Sequence, residues 1–139
     1  PLGPMKNSRK NRRQIRKGAA TIELAVCIPV LVLLVLGSLE ACNVIFLKQM
    51  VTAAAYEAAR VAVTQEAGPT EAEQRATDVL QSRGVQGFGY TSVPADPSQV
   101  DTGEDISITV SAPASANSLI NFEAFGSTIV SATIVMQKQ

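Results

Sequence analysis

The longest run of apolar side chains lies near the amino terminus. Residues 19–39 carry one charged side chain, Glu23, and the only polar group within residues 24–36 is the thiol of Cys27. A helix of this length spans roughly 31 Å, about the hydrocarbon thickness of a bilayer. The alternative, a buried core helix, would need more protein to cover it than 139 residues supply. The pattern predicts a transmembrane helix, which Pro29 is expected to kink.

A second helical pattern follows the apolar run. Over residues 40–66 apolar side chains recur at spacings of three and four residues, and alanine, a strong helix former, is frequent. The stripe comprises Val44, Leu47, Val51, Ala54, Ala58 and Ala62. We expect the helix to stop at Gly68-Pro69. Its small side chains would let partner helices approach closely.

Residues 67–139 are predicted to form a small domain that contains both a helix and strands. Thr70 and Glu73 have the spacing of a capping box, which predicts a helix to about Ser82. Alternation of apolar and hydroxyl side chains predicts a strand that ends at Pro113, and a run of β-branched residues predicts a closing strand. The strands are expected at Tyr90–Val93, Ile106–Ser111 and 127–136, with a loop around Phe122 and Phe125 before the last.

These elements define the predicted architecture. The fold class is α+β, with a long N-terminal helix, transmembrane in its first half, followed by a small helix packed on one face of an antiparallel sheet. Four segments are expected: a leader at 1–18, the span at 19–39, a helical extension at 40–66 and an extracytoplasmic domain at 67–139.

Charge is divided unevenly along the chain. The 12 basic and 12 acidic residues cancel, but residues 1–18 hold seven basic residues and no acid, which leaves residues 19–139 with a net charge of −7. The basic residues of the leader include Arg12, Arg13, Arg16 and Lys17. By the positive-inside rule the N-terminus is cytoplasmic and the C-terminal domain lies outside, in the periplasm. Without aromatic residues among these charges, topology and lipid contact explain the leader better than nucleic-acid binding does.

Composition excludes several kinds of catalytic site. The chain has no histidine, so a Ser-His-Asp triad, a Cys-His pair and a His-ligated zinc site are ruled out. Two cysteines cannot make a four-thiolate metal site. Phosphate-binding and nucleophile-elbow motifs are absent. We therefore predict a non-enzymatic protein with no catalytic residue, cofactor or metal.

Glu23 is the unusual residue of the span. An acid inside an apolar helix is unfavourable and is a functional hypothesis by default. While the leader is attached, Arg16 or Lys17 could serve as its partner; after a cut behind Gly18, the new amine of Ala19 would lie one helical turn away. The alternative is a glutamate tolerated near the interface by the positive end of the helix dipole.

A basic leader, a glycine, four residues, a glutamate and a long apolar helix together resemble the class III signal of type IV pilins and pseudopilins. Residues 18–40, GAATIELAVCIPVLVLLVLGSLE, are more closely similar to TadE-like pseudopilins of the tight-adherence system. Leu24 departs from that family, where phenylalanine is usual. The resemblance implies that Gly18 precedes a prepilin-peptidase cut, that Ala19 becomes the N-terminus and that Glu23 is the assembly carboxylate.

The implied function is that of a minor pseudopilin, a structural subunit in the assembly of a tight-adherence type IVb pilus, with a role in adhesion and biofilm. Its partners would be inner-membrane lipid, prepilin peptidase, other pilins or pseudopilins and the tight-adherence assembly proteins. Two other interpretations stay open. One is an uncleaved single-pass membrane protein with a periplasmic interaction domain, and the other is a lipoprotein acylated at Cys42, since Leu39-Glu40-Ala41-Cys42 resembles a lipobox.

Overall fold

The computed structural model describes residues 8–64, 68–120 and 128–139. By its internal contacts the chain divides after Ser38 into two units, the second running from Leu39 to Gln139. The predicted loop residues Phe122 and Phe125 lie outside the described residues.

Two helices and three strands make up the described fold. The helices are α1 (Ser8–Ala62) and α2 (Pro69–Ser82), and the strands are β1 (Gly89–Val93), β2 (Asp105–Pro113) and β3 (Ile129–Gln137). Single turns of 3-10 helix lie at Pro97–Gln99 and Ser115–Asn117. The predicted α+β class is confirmed, with a long apolar helix followed by a small helix and an antiparallel sheet.

The three strands form one antiparallel sheet in the order β1-β2-β3. In the register Tyr90 lies opposite Val110, which lies opposite Ala132. Because side chains alternate between the faces of a strand, the even-numbered residues of β2 face the core and the odd-numbered ones face away. The outer face carries hydroxyl groups, and those of Thr109 and Thr133 are 2.8 Å apart.

The core lies between the sheet and the second half of α1. Five alanines of this helix are fully buried: Ala54, Ala55, Ala58, Ala59 and Ala62. They belong to one cluster with Leu80 of α2 and with Ile106 and Ile108 of β2. The small-residue stripe predicted as a contact for partner helices is therefore this domain's own packing face, and that interpretation is wrong. Spacing shows that a helix face is buried, but not which surface covers it.

The end of α1 is held by a residue from the far end of the chain. Lys138 is only 5% exposed, and its Nζ donates to the carbonyl oxygens of Ala62 at 3.3 Å, Thr64 at 2.8 Å and Pro97 at 3.1 Å. Three acceptors satisfy the three donors of a buried ammonium, and a cation at a helix C-terminus is electrostatically favourable. The buried ammonium therefore stabilises the end of α1 at Ala62.

The start of α2 also differs from the prediction. The residue before the helix is Gly68, which makes no side-chain capping bond, and Pro69 is the first helical residue. Thr70 therefore lies inside the first turn, and the predicted capping box with Glu73 is wrong. Proline fixes φ near the helical value and lacks the N–H that a first turn leaves unpaired, so the helix begins at Pro69, two residues earlier than a cap at Thr70 would start it.

The close packing of α1 on the sheet can be tested by replacing each of two alanines, one at a time, with leucine. Ala58 is fully buried, whereas Ala53 is partly exposed and borders an open cleft. We expect Ala58→Leu to lower the free energy of unfolding by about 1–3 kcal/mol, because a well-packed core cannot accept the added volume without strain. Ala53→Leu makes the same change in helix propensity and should be nearly neutral. Chemical denaturation of the full chain in detergent, followed by circular dichroism, measures both; equal losses would contradict this packing.

Asp96 supplies a prediction about pH. Its carboxylate accepts hydrogen bonds from the hydroxyl of Ser98 at 2.6 Å, the Ser98 backbone N–H at 3.0 Å and the side-chain amide of Gln99 at 2.9 Å. These bonds, with a smaller contribution from the charge of Lys138, lower the pKa of Asp96 below its ordinary value of 3.8.

A lowered pKa in the folded state stabilises the protein above the unfolded-state pKa, and this stabilisation is lost as the pH falls through the folded-state value. Asp96→Asn should therefore lower the Tm relative to the unmodified chain at pH 6, and the difference should shrink below about pH 4. Thermal melts of both proteins at pH 6 and at about pH 3 measure this difference in Tm. An unchanged difference at pH 3 would show that the charge of Asp96 does not contribute.

Candidate functional site on the amino-terminal helix

The first half of α1 exposes its apolar side chains all round. Residues 18–36 are exposed throughout, with Ile22 at 68% and Leu34 at 62%. By length and composition the helix Gly18–Ala62 is apolar enough to cross a membrane, and none of its most apolar window is buried. Apolar side chains exposed on every side of a helix require lipid or other helices around them. This segment is the candidate site.

Gly18 lies at the start of the segment, in the interior of a helix. A Cβ added to it would meet nothing within 4 Å. Glycine in a helix costs roughly 0.5–1 kcal/mol relative to alanine, because it has more conformational freedom to lose. The described structure thus holds a destabilising residue at a position where no packing requires it. Gly37, farther along α1, has the same open surroundings.

Glu23 projects from α1 as an exposed side chain. Within the described residues it takes part in no ion pair, since the one salt bridge there joins Arg75 and Glu57 at 3.3 Å. Ala19 is four residues earlier, a helical rise of about 6 Å, so the two positions lie on the same side of α1. The structure therefore places Ala19 and Glu23 one helical turn apart on the same side of α1.

The other predicted residues of this region lie on the same helix. Arg12, Arg13, Arg16 and Lys17 belong to the first turns of α1, and their side chains lie outside the described part of the structure. Pro29 lies inside α1, which continues through it, so its role as a kink stays a prediction. Cys27 and Cys42 are exposed free thiols.

An apolar surface of α1 beyond the span was missed from the sequence. We call it the outer face of α1: Leu39, Ile45, Phe46 and Tyr56, which are 48–58% exposed. On a helical projection these residues lie opposite the buried alanines. The signal was present, because large apolar residues recur on the side that the alanine stripe leaves free. A helix that buries one apolar face and exposes another has a second surface to cover.

Glu40 was also missed. It is 1% exposed, and its Oε2 makes no hydrogen bond within the described structure. The sequence places Glu40 just past the span, where an acid is ordinarily solvated, and no local pattern indicates its burial. A buried carboxylate oxygen without a donor is unfavourable. Glu40 is therefore an unfavourable buried acid at the start of the second unit.

In the part of the chain that the structure describes, no group of three or more acidic or thiol side chains is placed so that it could bind a metal ion.

Comparison with known proteins agrees with this location of the site. The family model of the TadE-like protein matches residues 18–60, beginning at Gly18 and ending near the end of α1. No curated protein and no solved structure matches the chain. The resemblance seen in the sequence is thus confirmed for this segment: residues 18–60 are similar to the TadE-like protein family, which suggests a membrane protein related to the tight-adherence pilus.

Proposed function

We propose that the chain is a minor pseudopilin, a structural subunit that takes part in assembling a tight-adherence type IVb pilus at the bacterial inner membrane. Prepilin peptidase matures it by cutting after Gly18. The leader charges hold the N-terminus in the cytoplasm until then, and the domain from Leu39 onward lies in the periplasm. The TadE-like match over residues 18–60 supports the pilus-related part of this proposal.

The main support for the proposed maturation step is the glycine at position 18. Its helix leaves open space around it, so the fold of the chain gives no reason for a residue that weakens the helix. A peptidase supplies such a reason, because a small residue on each side of the scissile bond lets the backbone enter an active site. Ala19, the next residue, is small as well.

Glu23 then acquires a partner. Hydrolysis of the Gly18–Ala19 peptide bond leaves a carboxylate on the departing leader and an α-ammonium on Ala19. That cation can pair with Glu23 of the same helix or of a neighbouring copy, and a pair between copies fixes how far one helix is displaced along the other. In the low dielectric of a membrane such a pair is stronger than in water.

The outer face of α1 extends this contact beyond the bilayer. Leu39, Ile45, Phe46 and Tyr56 continue the exposed apolar surface past the span, whereas the alanines behind them are already buried. Partner helices that cover the exposed side chains of residues 18–36 would replace lipid contacts with protein contacts. This exchange lets an apolar helix leave the bilayer without exposing its side chains to water.

Two matched glycines test the maturation step. Gly18→Leu and Gly37→Leu both place the same side chain in open space on the same helix. In a host with its own prepilin peptidase, the unmodified chain and Gly37→Leu should give a product that begins at Ala19, whereas Gly18→Leu should keep its leader. Intact mass of the membrane-extracted protein measures this.

Two results would contradict maturation at Gly18. An unmodified chain that keeps its leader would indicate an uncleaved single-pass protein. A product that begins at Cys42 and carries lipid would indicate the lipoprotein instead.

The role of Glu23 is tested by removing its charge. Glu23→Gln keeps the size of the side chain, and Glu23→Ala removes it; both should be cut normally yet restore few pili in cells that lack the native gene, because the Ala19 ammonium has no partner. Glu57→Gln, the same change at a half-buried acid of α1 outside the span, serves as the control, since an ion pair near the surface contributes little. Pili are counted by electron microscopy. Normal piliation with both Glu23 variants would contradict the pairing.

A further inference from the structure

β3 is an edge strand whose outer side is open. The backbone N–H of Ala114 donates to the carbonyl of Thr128, and that of Lys138 donates to Glu104, so the even-numbered residues bond towards β2. In an antiparallel pair the inward-bonded and outward-facing residues alternate, which turns the backbone groups of Ser131, Thr133 and Val135 away from the sheet. Within the described residues, a single contact reaches this row, from the Nζ of Lys48 to the carbonyl of Ser131.

The opposite edge of the sheet has the same property. β1 bonds to β2 through its odd-numbered residues, because the even-numbered residues of β2 are already used by β3. The backbone groups of Tyr90 and Ser92 therefore face outward, and no backbone partner for them occurs in the described part of the chain. An unpaired edge is a template for another strand.

A shared membrane limits how two copies can meet. Pairing β3 with β3 of a second copy, with the core faces of both sheets on the same side, is antiparallel and needs a two-fold axis perpendicular to the sheet. That axis reverses every element lying along the sheet, including the part of α1 from Leu47 to Val63 that packs on it. The Leu39 ends of the two helices would then point in opposite directions. Copies whose domains have the same orientation at one membrane cannot pair in this way, an argument that rests on the membrane anchoring in the proposed function.

Pairing β3 with β1 of the neighbouring copy avoids this reversal. Both strands are antiparallel to β2, so they are parallel to each other, and two copies of the same orientation bring one edge against the other. The outward residues Tyr90 and Ser92 can each bond to residues on either side of an inward residue of β3, as parallel ladders require.

The side chains of the two edges select one register. With Thr91 of the neighbouring copy opposite Thr133, the hydroxyl row formed by Thr91, Thr109 and Thr133 continues from copy to copy. The same register places Val93 of the neighbouring copy, 62% exposed, opposite Val135, 57% exposed. Shifting by two residues in either direction sets one of these valines opposite a polar residue, threonine or glutamine. Matched cross-strand pairs of this kind stabilise a sheet.

We propose that copies of this chain join side by side through their sheet edges, β3 of one copy pairing in parallel with β1 of the next, with Thr133 opposite Thr91 and Val135 opposite Val93. The contact is heterologous, so it leaves a free edge at each end and can add further copies. The occupant of the β3 edge is thus a second copy of the chain.

Charge and space at the two edges agree with this arrangement. Lys48 of α1 lies at the start of the β3 edge, beside an open cleft of about 480 Å³ that Val44 of α1 and Ile129 of β3 also border. Glu73 lies on the β1 side, where burial raises the pKa of Tyr90 and the charge of Glu73 raises it further. Opposite charges thus flank the two edges. The carbonyl of Ser131 has two lone pairs, so a strand N–H can bind it while Lys48 stays in place.

Disulfide trapping in the membrane tests the proposal. The full chain, with Cys27→Ala and Cys42→Ala, is produced as two differently tagged variants in the same cells, one with Thr91→Cys and the other with Thr133→Cys. Opposed residues of neighbouring strands lie within the Cα separation that a disulfide needs. Mild oxidation should give a cross-linked dimer that carries both tags. Val93→Cys with Val135→Cys is a second pair for the same register, should a threonine variant fail to fold.

Controls separate this contact from others. Thr133→Cys combined with Thr102→Cys, at an exposed turn, should give no dimer. A dimer from Thr133→Cys alone would show that two β3 edges pair, and no dimer from either designed pair would show that the edges do not meet; both results overturn the proposal. The N-terminal residue of the same samples is read separately. Cross-linking of chains that keep their leader supports edge pairing while rejecting maturation, and chains that begin at Ala19 without cross-links do the reverse.

Discussion

The rest of the molecule depends on one unmet requirement, the need to cover the apolar side chains of residues 18–36. They are exposed on every side of α1, and water is an unfavourable environment for so much apolar surface. In the proposed function, lipid meets the requirement in the membrane and neighbouring helices meet it in the pilus assembly. These two environments are similar in polarity, so the helix could exchange one for the other at little cost.

The second half of the same helix uses apolar residues in another way. From Leu47 onward its inner face is the core of the domain, and the small side chains of its alanines bring the helix axis close to the sheet. Its outer face stays exposed at Ile45, Phe46 and Tyr56. One continuous helix therefore has one apolar face buried in the fold and a second apolar face that stays exposed. The buried face is rich in small alanines, whereas the exposed face consists of large side chains.

Local patterns predicted the class and most elements of the fold, whereas distant contacts decided what the sequence missed. The alternation from Ile106 to Ser111 is a property of neighbouring residues, so β2 was predictable. The end of α1 was not, because Lys138 is 76 residues from the Ala62 carbonyl that it binds. The burial of Glu40 and the identity of the surface that covers the alanine stripe likewise depend on the packing of the whole domain. Gly18 and Glu23 could be found because their signal is a spacing of five residues.

The two proposed contacts between copies lie in different parts of the chain and act in different directions. An Ala19–Glu23 pair acts along the helix and sets the displacement of one subunit relative to the next, whereas a β3–β1 contact acts sideways through the domain. Each can be weak alone, because a chain held at one contact presents the other at a high effective concentration. Anchoring in one membrane strengthens this effect, since it keeps neighbouring copies in the same orientation. Before maturation the Ala19 ammonium does not exist, so only the sideways contact is available. Cleavage of the leader would then decide when a laterally associated chain becomes competent for axial assembly.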